Sequence, residues 1–275
     1  MKKIGTQTIA FASAPSIIGR ANVVGKKEGA GPLASSFDLI GSDDTFGTES
    51  WEKAESSMQK QAMELALQRA GSTAEDLDFI FAGDLLNQCI GSSFAMRDQK
   101  VPFFGLYGAC STMGEGLILG AMTLDGNFAN QVAVSASSHF CTAERQYRTP
   151  LEYGGQRTPT AQWTVTGAGA VVLGNSDKGP YITHATVGKI TDKGITDTNN
   201  MGAAMAPDDV ILGKYKNLLA QISLEALPTL HLCLVSLNFI LRKIFLFNIF
   251  VFRMTRRRLD SLFTTGTGGF SGRAG

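Results

Sequence analysis

The sequence lacks an excess of charge of either sign, and this excludes several classes of protein. Of its 275 residues, 25 are lysine or arginine and 24 are aspartate or glutamate, so the net charge is +1. Proteins that bind nucleic acids are usually more basic, and disordered chains contain fewer hydrophobic residues than the 44% found here. We therefore expect a globular protein with no nucleic-acid partner.

Cysteine is also scarce, and the spacing of the cysteines does not indicate a metal-binding motif. The sequence contains four cysteines: Cys89, Cys110, Cys141 and Cys233. No two of them form a C-x-x-C pair, and four are too few for a disulfide framework in a chain of this length. We predict free thiols in a reducing compartment, with no metal site and no cofactor.

Helical and strand patterns alternate along the chain. The first predicted strand is Ile9–Ile18, followed by a long loop to Gly47 and a helix between a Ser50 cap and Gly71. Further strands are predicted over residues 78–82, 131–136, 164–173 and 181–188, and a further helix over residues 110–124. This alternation predicts an α/β fold with a partly parallel sheet whose two faces are both covered.

The run GACS places Cys110 and Ser111 at the start of the second predicted helix. A helix N-terminus presents N–H donors to an anion and lowers the pKa of a thiol. Cys110 is thus a candidate nucleophile, and the alternative is a small buried hydrophobe that lines a pocket.

Polar residues follow two of the predicted strands. Asp84, Asn87 and Gln88 come after the strand at 78–82, and His139 comes after the strand at 131–136. Ligands of open α/β sheets tend to bind at strand ends of this kind. The alternatives are loop capping for the first three residues and a structural role for the histidine.

Several longer runs, among them KEGAGPL, GLYGACSTMGEG and EYGGQRTPTAQWTVTGAGA, resemble the stage V sporulation protein AD family. The resemblance covers about residues 7–207. It implies a thiolase-like α/β fold in which two similar halves form five α/β/α/β/α layers, usually as a homodimer. Residues 1–176 would be the first half, and residues 177–275 would begin a second half that is aberrant after about Pro207.

The resemblance also implies a function. Members bind dipicolinic acid (pyridine-2,6-dicarboxylate), free or as its calcium chelate, and take part in its uptake into the developing spore. They act with other stage V sporulation membrane proteins at the cytoplasmic face of the spore inner membrane. The residues then predicted to bind the ligand are Cys110, Ser111, Asp84, Gln88 and His139. Further candidates are Arg145, Arg148 and Arg157 for the carboxylates and Phe103, Phe104 and Tyr107 for the ring.

Two alternatives remain beside this function. The first is a thiolase-type acyltransferase that uses Cys110, and the second is a structural subunit of the transport assembly. Acyl transfer also needs a base and an oxyanion hole. Because none of His139, His184 and His231 lies in a recognisable second-half catalytic motif, we predict that the protein is not an enzyme.

Long apolar runs occur only near the C-terminus. At the other end, Gln7 and Thr8 interrupt the apolar residues, so we expect no secretion signal. Residues 231–252 are mostly apolar and precede several arginines, which is typical of a membrane span. Arg242 and Lys243 lie at the centre of this run, where each would cost about 2.5–3.5 kcal/mol in a bilayer. We favour an aberrant, aggregation-prone segment over a membrane helix.

Overall fold

The computed structural model describes residues 2–147, 164–188, 194, 196 and 251–255. The strands in this part of the chain are β1 (Lys2–Ile4), β2 (Thr8–Ala10), β3 (Ser16–Val24), β4 (Leu39–Ile40), β5 (Phe79–Gly83), β6 (Phe103–Gly105), β7 (Gln131–Ser138), β8 (Gly167–Gly174), β9 (Tyr181–Thr186) and β10 (Val251–Thr255). The α-helices are α1 (Lys26–Gly29), α2 (Trp51–Ala70), α3 (Ile90–Met96), α4 (Thr112–Asp125) and α5 (Phe140–Tyr147).

All of these strands join one mixed sheet. Its order is β1-β2-β9-β3-β8-β7-β5-β6, with β4 beside β3 and β10 beside β9. Strand β5 is parallel to both β6 and β7, whereas β8 is antiparallel to β7 and β3. The predicted partly parallel sheet is therefore confirmed.

Helix α2 begins and ends where its capping residues predict. The Ser50 hydroxyl accepts a hydrogen bond from the Lys53 amide at 3.3 Å. At the other end Gly71 adopts φ 67°, a left-handed conformation that glycine tolerates without strain. The prediction for this helix is confirmed.

Helices cover both faces of the sheet, as predicted for the α/β class. Helix α2 packs on one face, and α4 packs on the other. The close fit depends on glycines, because a Cβ atom at Gly19 of β3 would lie 2.3 Å from the Ala66 carbonyl oxygen of α2. A Cβ atom at Gly116 of α4 would likewise lie 2.5 Å from the Val134 side chain of β7. The side chains buried on α2 are Ala54, Glu55, Met58, Gln59, Ala62, Met63, Ala66 and Leu67.

The first predicted strand, Ile9–Ile18, is interrupted. Its ends lie in β2 and β3, which both run antiparallel to β9, and residues 11–15 between them break the strand, with Ala14 at φ 45°. Strand β3 then continues to Val24, into the segment predicted as a loop, and α1 and β4 also lie in that segment. The polar residues that suggested a loop are paired across it, since Asn22 and Asp38 exchange two hydrogen bonds of 2.9 Å.

The predicted boundary between halves, at residues 176 and 177, falls between β8 and β9. Both strands belong to the same sheet, and β9 pairs with β2 along residues 8–10. Most of residues 189–275 lie outside the described part, and the boundary stays a prediction. In the part that is described, no helix has the length and apolar character needed to cross a membrane.

Candidate functional site

The three predicted site loops meet at one edge of the sheet. Because β5 is parallel to β6 and β7, the carboxyl ends of these strands lie together. The loops after β5 and β6 are also in direct contact. The Cys89 thiol donates to the Leu106 carbonyl oxygen at 3.2 Å, and the Tyr107 hydroxyl donates to Asn87 Oδ1 at 3.2 Å.

Cys110 lies in a tight turn, Ala109–Ser111, that leads directly into α4. Ala109 holds a left-handed φ of 48°, and the Ser111 hydroxyl closes the turn by donating to the Gly108 carbonyl oxygen at 2.7 Å. The predicted position at a helix start is confirmed. Of the two readings of Cys110, the buried thiol fits better than the nucleophile, because burial raises the pKa of Cys110 to about 12.

Asp84 is buried, and its carboxylate is fully occupied by its own loop. Oδ1 accepts from the Leu86 amide at 2.8 Å, and Oδ2 accepts from the Ser92 amide at 2.7 Å and from the Ser92 hydroxyl at 2.6 Å. These bonds fix the path from β5 into α3. Gln88, by contrast, is exposed in a left-handed conformation (φ 60°), which leaves its amide group free to face a ligand.

His139 is completely buried at the end of β7. Nε2 lies 2.7 Å from the Asp44 carbonyl oxygen, and Nδ1 accepts from the Cys141 amide at 3.2 Å. A carbonyl can only accept and an amide N–H can only donate, so the ring is the neutral Nε2–H tautomer. Burial lowers the pKa of His139, and its ring packs 5.4 Å from that of Trp51. The imidazole thus holds the turn after β7 in place, with both nitrogens engaged.

The other predicted candidates are dispersed. Phe103 packs against the core beneath α2, and Phe104 stacks on Phe81 with ring centroids 5.0 Å apart. Tyr107 is half exposed beside the loop after β5. His184 lies within β9, as predicted. The backbone of Arg145 belongs to α5, whereas Arg148, Arg157 and His231 lie outside the described residues.

A buried acidic residue of this edge was missed. Glu55 of α2 is completely buried and lies within hydrogen-bonding distance of the Ser137 and Thr142 hydroxyls. The next turn carries Gln59, also buried, whose Nε2 donates to the Gly83 carbonyl oxygen at 3.4 Å. The signal was the helical spacing, since Glu55 lies three residues before Met58 on the buried face.

The sequence was compared with known families and proteins. Residues 5–222 match the model of the family described as Stage V sporulation protein AD. The chain belongs to this family. Membership confirms the resemblance, places the chain among sporulation proteins and agrees with the thiolase-like α/β fold class. Of the five expected layers, the described residues form three: α2 with α3, the sheet, and α4.

One relative is the Stage V sporulation protein AD of Bacillus subtilis (strain 168). It is 43% identical over 220 residues, which is 79% of this chain and 65% of that protein. The chain thus spans less than two thirds of the length of this relative.

Two solved structures have a similar course of the backbone over part of the chain. An OleA variant from Xanthomonas campestris matches 79% of this chain and 75% of its own, with 16% identity and a TM-score of 0.48. A 3-oxoacyl-(acyl carrier protein) synthase III from Xanthomonas oryzae pv. oryzae matches 66% and 62%, with 18% identity and a TM-score of 0.44. The sporulation relative bears no enzyme name.

Proposed function

We propose that this chain binds dipicolinic acid, free or as its calcium chelate, for uptake of the compound into the developing spore. The observation that carries the proposal is that α4 begins at the carboxyl ends of the parallel strands, directly after an uncharged Cys110. Dipicolinate is a planar dianion, and a helix N-terminus offers it N–H donors and a positive electrostatic potential. A neutral thiol adds no opposing charge. Ser111 and Gln88 supply polar contacts, while Asp84 and His139 hold the walls.

Glu115 supports the calcium-bound form of the ligand. Its Oε2 lies against Gly108, in the turn that carries Cys110, since a Cβ atom at Gly108 would be only 2.6 Å from it. Burial raises the pKa of Glu115. A carboxylate here repels a free dianion but can coordinate Ca²⁺, which prefers oxygen ligands. Glu115→Gln should therefore weaken binding of calcium dipicolinate and leave binding of the free acid unchanged or tighter, as measured by calorimetry.

Calorimetry also tests the identity of the ligand and whether it binds beside Cys110. Dipicolinate should bind at least about tenfold more tightly than benzoate, because one carboxylate forgoes the interactions of the second. Cys110→Asp should lower affinity by about tenfold or more, because it places a negative charge beside the ligand. Cys110→Asn is the matched control, with the same shape and no charge, and should bind nearly as the parent does. Equal affinities for dipicolinate and benzoate, or equal effects of both variants, would contradict the proposal.

We further propose that this chain binds without catalysing acyl transfer. The protonated Cys110 thiol and the fully engaged His139 ring support this reading, since acyl transfer needs a thiolate and a free base. Incubation with acyl-CoA thioesters should give neither turnover nor an acyl adduct on Cys110 in mass spectra. Turnover that disappears in Cys110→Ala would contradict it and favour the condensing-enzyme alternative.

The proposed setting rests on the resemblance to the sporulation family. We propose that the protein acts as a homodimer on the cytoplasmic face of the spore inner membrane, together with other stage V membrane proteins. Fractionation of sporulating cells should recover it with membranes, and a high-salt wash should release it. A protein that stays in the cytosolic fraction would contradict this localisation.

A further inference from the structure

The Glu55 carboxyl group is buried between α2, β7 and α5. Its Oε1 accepts from the Ser137 hydroxyl at 3.0 Å, and its Oε2 lies 2.7 Å from the Thr142 hydroxyl. The charged groups that act on it most strongly are both acidic: Asp84 at the end of β5, and Glu52 on its own helix. His139, from the turn between β7 and α5, is neutral, and both of its ring nitrogens are hydrogen-bonded to the backbone.

The hydrogen bonds around Thr142 indicate which protonation state fits. The Thr142 hydroxyl has one hydrogen but lies near two acceptors, Glu55 Oε2 at 2.7 Å and the His139 carbonyl oxygen at 3.0 Å. A protonated Glu55 donates to Thr142, and Thr142 then donates to His139, so every group is satisfied. An ionised Glu55 needs the Thr142 hydrogen for itself. The His139 carbonyl oxygen then keeps only the Ala143 amide, at 3.0 Å.

We propose that Glu55 is a proton-controlled latch, which holds α5 against α2 while its carboxyl group is protonated and loosens α5 when the proton leaves. On release the proton passes to solvent, a buried negative charge appears beside Asp84, and the Thr142 hydroxyl turns towards it. In the proposed mechanism, movement of the eight-residue helix α5 admits water to this charge. The latch does not depend on what the protein binds.

The direction of the pH effect follows from burial. Burial raises the pKa of Glu55 from its usual 4.5 to about 7, with a further rise from Asp84, and the hydrogen bonds from Thr142 and Ser137 oppose it. Between these two values the folded chain holds a proton that the unfolded chain has lost. Stability is therefore greatest below about pH 4.5 as far as this group is concerned, and decreases as the pH rises towards 7.

Infrared spectra of the full chain across pH 5–9 test the latch directly. The carbonyl band of a buried protonated carboxylic acid should disappear with a midpoint near pH 7. This band should be absent in Glu55→Gln and unchanged in Glu64→Gln, a matched control on the exposed side of the same helix. Thr142→Val removes a donor to the ionised form and should move the midpoint upwards. This comparison also serves if Glu55→Gln does not fold.

Hydrogen exchange tests the link to α5. After correction for intrinsic rates, the Ala143 amide should exchange several-fold faster at pH 8 than at pH 6, and Glu55→Gln should abolish the difference. A band that titrates near pH 4.5, or one that survives in Glu55→Gln, would overturn the proposal. Exchange at Ala143 that is independent of pH would overturn it as well.

Discussion

At the scale of single residues, protonation separates Cys110 from a catalytic thiol. A nucleophilic cysteine at a helix start owes its reactivity to a lowered pKa, whereas burial here raises the pKa of Cys110 to about 12. At pH 8 the thiolate fraction should be about a thousandfold smaller than in an ordinary cysteine, because each pH unit is a factor of ten. We predict correspondingly slow alkylation of Cys110 by iodoacetamide, followed by mass spectrometry.

The same cysteine in urea is the natural reference for this measurement. Unfolding should restore ordinary reactivity, and Cys110→Ala identifies the modified site. Dipicolinate should slow labelling of the folded chain further if it covers the turn. Fast labelling of the folded protein, with a midpoint below pH 8, would show that the helix terminus outweighs burial.

Sequence patterns predicted the positions of the candidate residues better than their contacts. Asp84, Cys110 and His139 could be placed at strand ends from the alternation of elements, and parallel pairing brings those ends together. Their roles depend on partners that are distant in sequence: Ser92 for Asp84, and Asp44 for His139. A one-dimensional pattern contains no such pairs, and for the same reason Glu55 passed unnoticed.

At the scale of elements, β6 is a sheet edge with unusual exposure. It is the last strand in the sheet order, and Phe104 on it is 50% exposed, as are Tyr107 (52%) and, on the neighbouring α3, Phe94 (54%) and Ile90 (43%). An apolar edge of this kind favours pairing with another chain. We propose a second copy of this chain as the partner. Phe94→Glu should convert the dimer to a monomer in sedimentation experiments.

A matched control is available on the same molecule. Phe128 is 77% exposed just beyond α4, so Phe128→Glu adds the same charge away from this edge and should leave the dimer intact. Equal behaviour of the two variants would contradict an interface at β6. Sedimentation of the parent chain as a monomer would contradict dimerisation itself.

Elements differed in how well the sequence predicted them. Helix α2 has a cap, a terminating glycine and a buried stripe, so local signals agree with its position. Strand β3 has Gly19, Arg20 and Asn22 in its interior, which suggest a loop. Its strand conformation comes from long-range pairing with β8, and Gly19 admits α2 at close range. Tertiary contacts, and not local propensity, therefore determine that this segment is a strand.

At the scale of the whole molecule, the question is what covers the side of α4 that faces away from the sheet. None of its residues is exposed, although the sheet contacts only one of its sides, and Met113, Leu119 and Met122 are partly buried. A helix with buried or half-buried residues on every side belongs in the interior of a protein. In the family architecture a second half would cover this side of α4. The match of this sequence to the family model ends at residue 222.

We predict that the full chain is poorly soluble. Met113, Leu119 and Met122 need cover on the side of α4 that faces away from the sheet. Each apolar side chain that lost such cover would forgo roughly 1.5–3 kcal/mol, and a domain has only about 5–15 kcal/mol of net stability. The mostly apolar segment 231–252 adds surface that favours aggregation. Gel filtration after expression should show aggregates. Phe245→Lys, within that segment, should raise the soluble fraction, whereas Phe128→Lys should not. A monodisperse dimer with one cooperative thermal transition, raised by dipicolinate, would show that the C-terminal segment completes the fold.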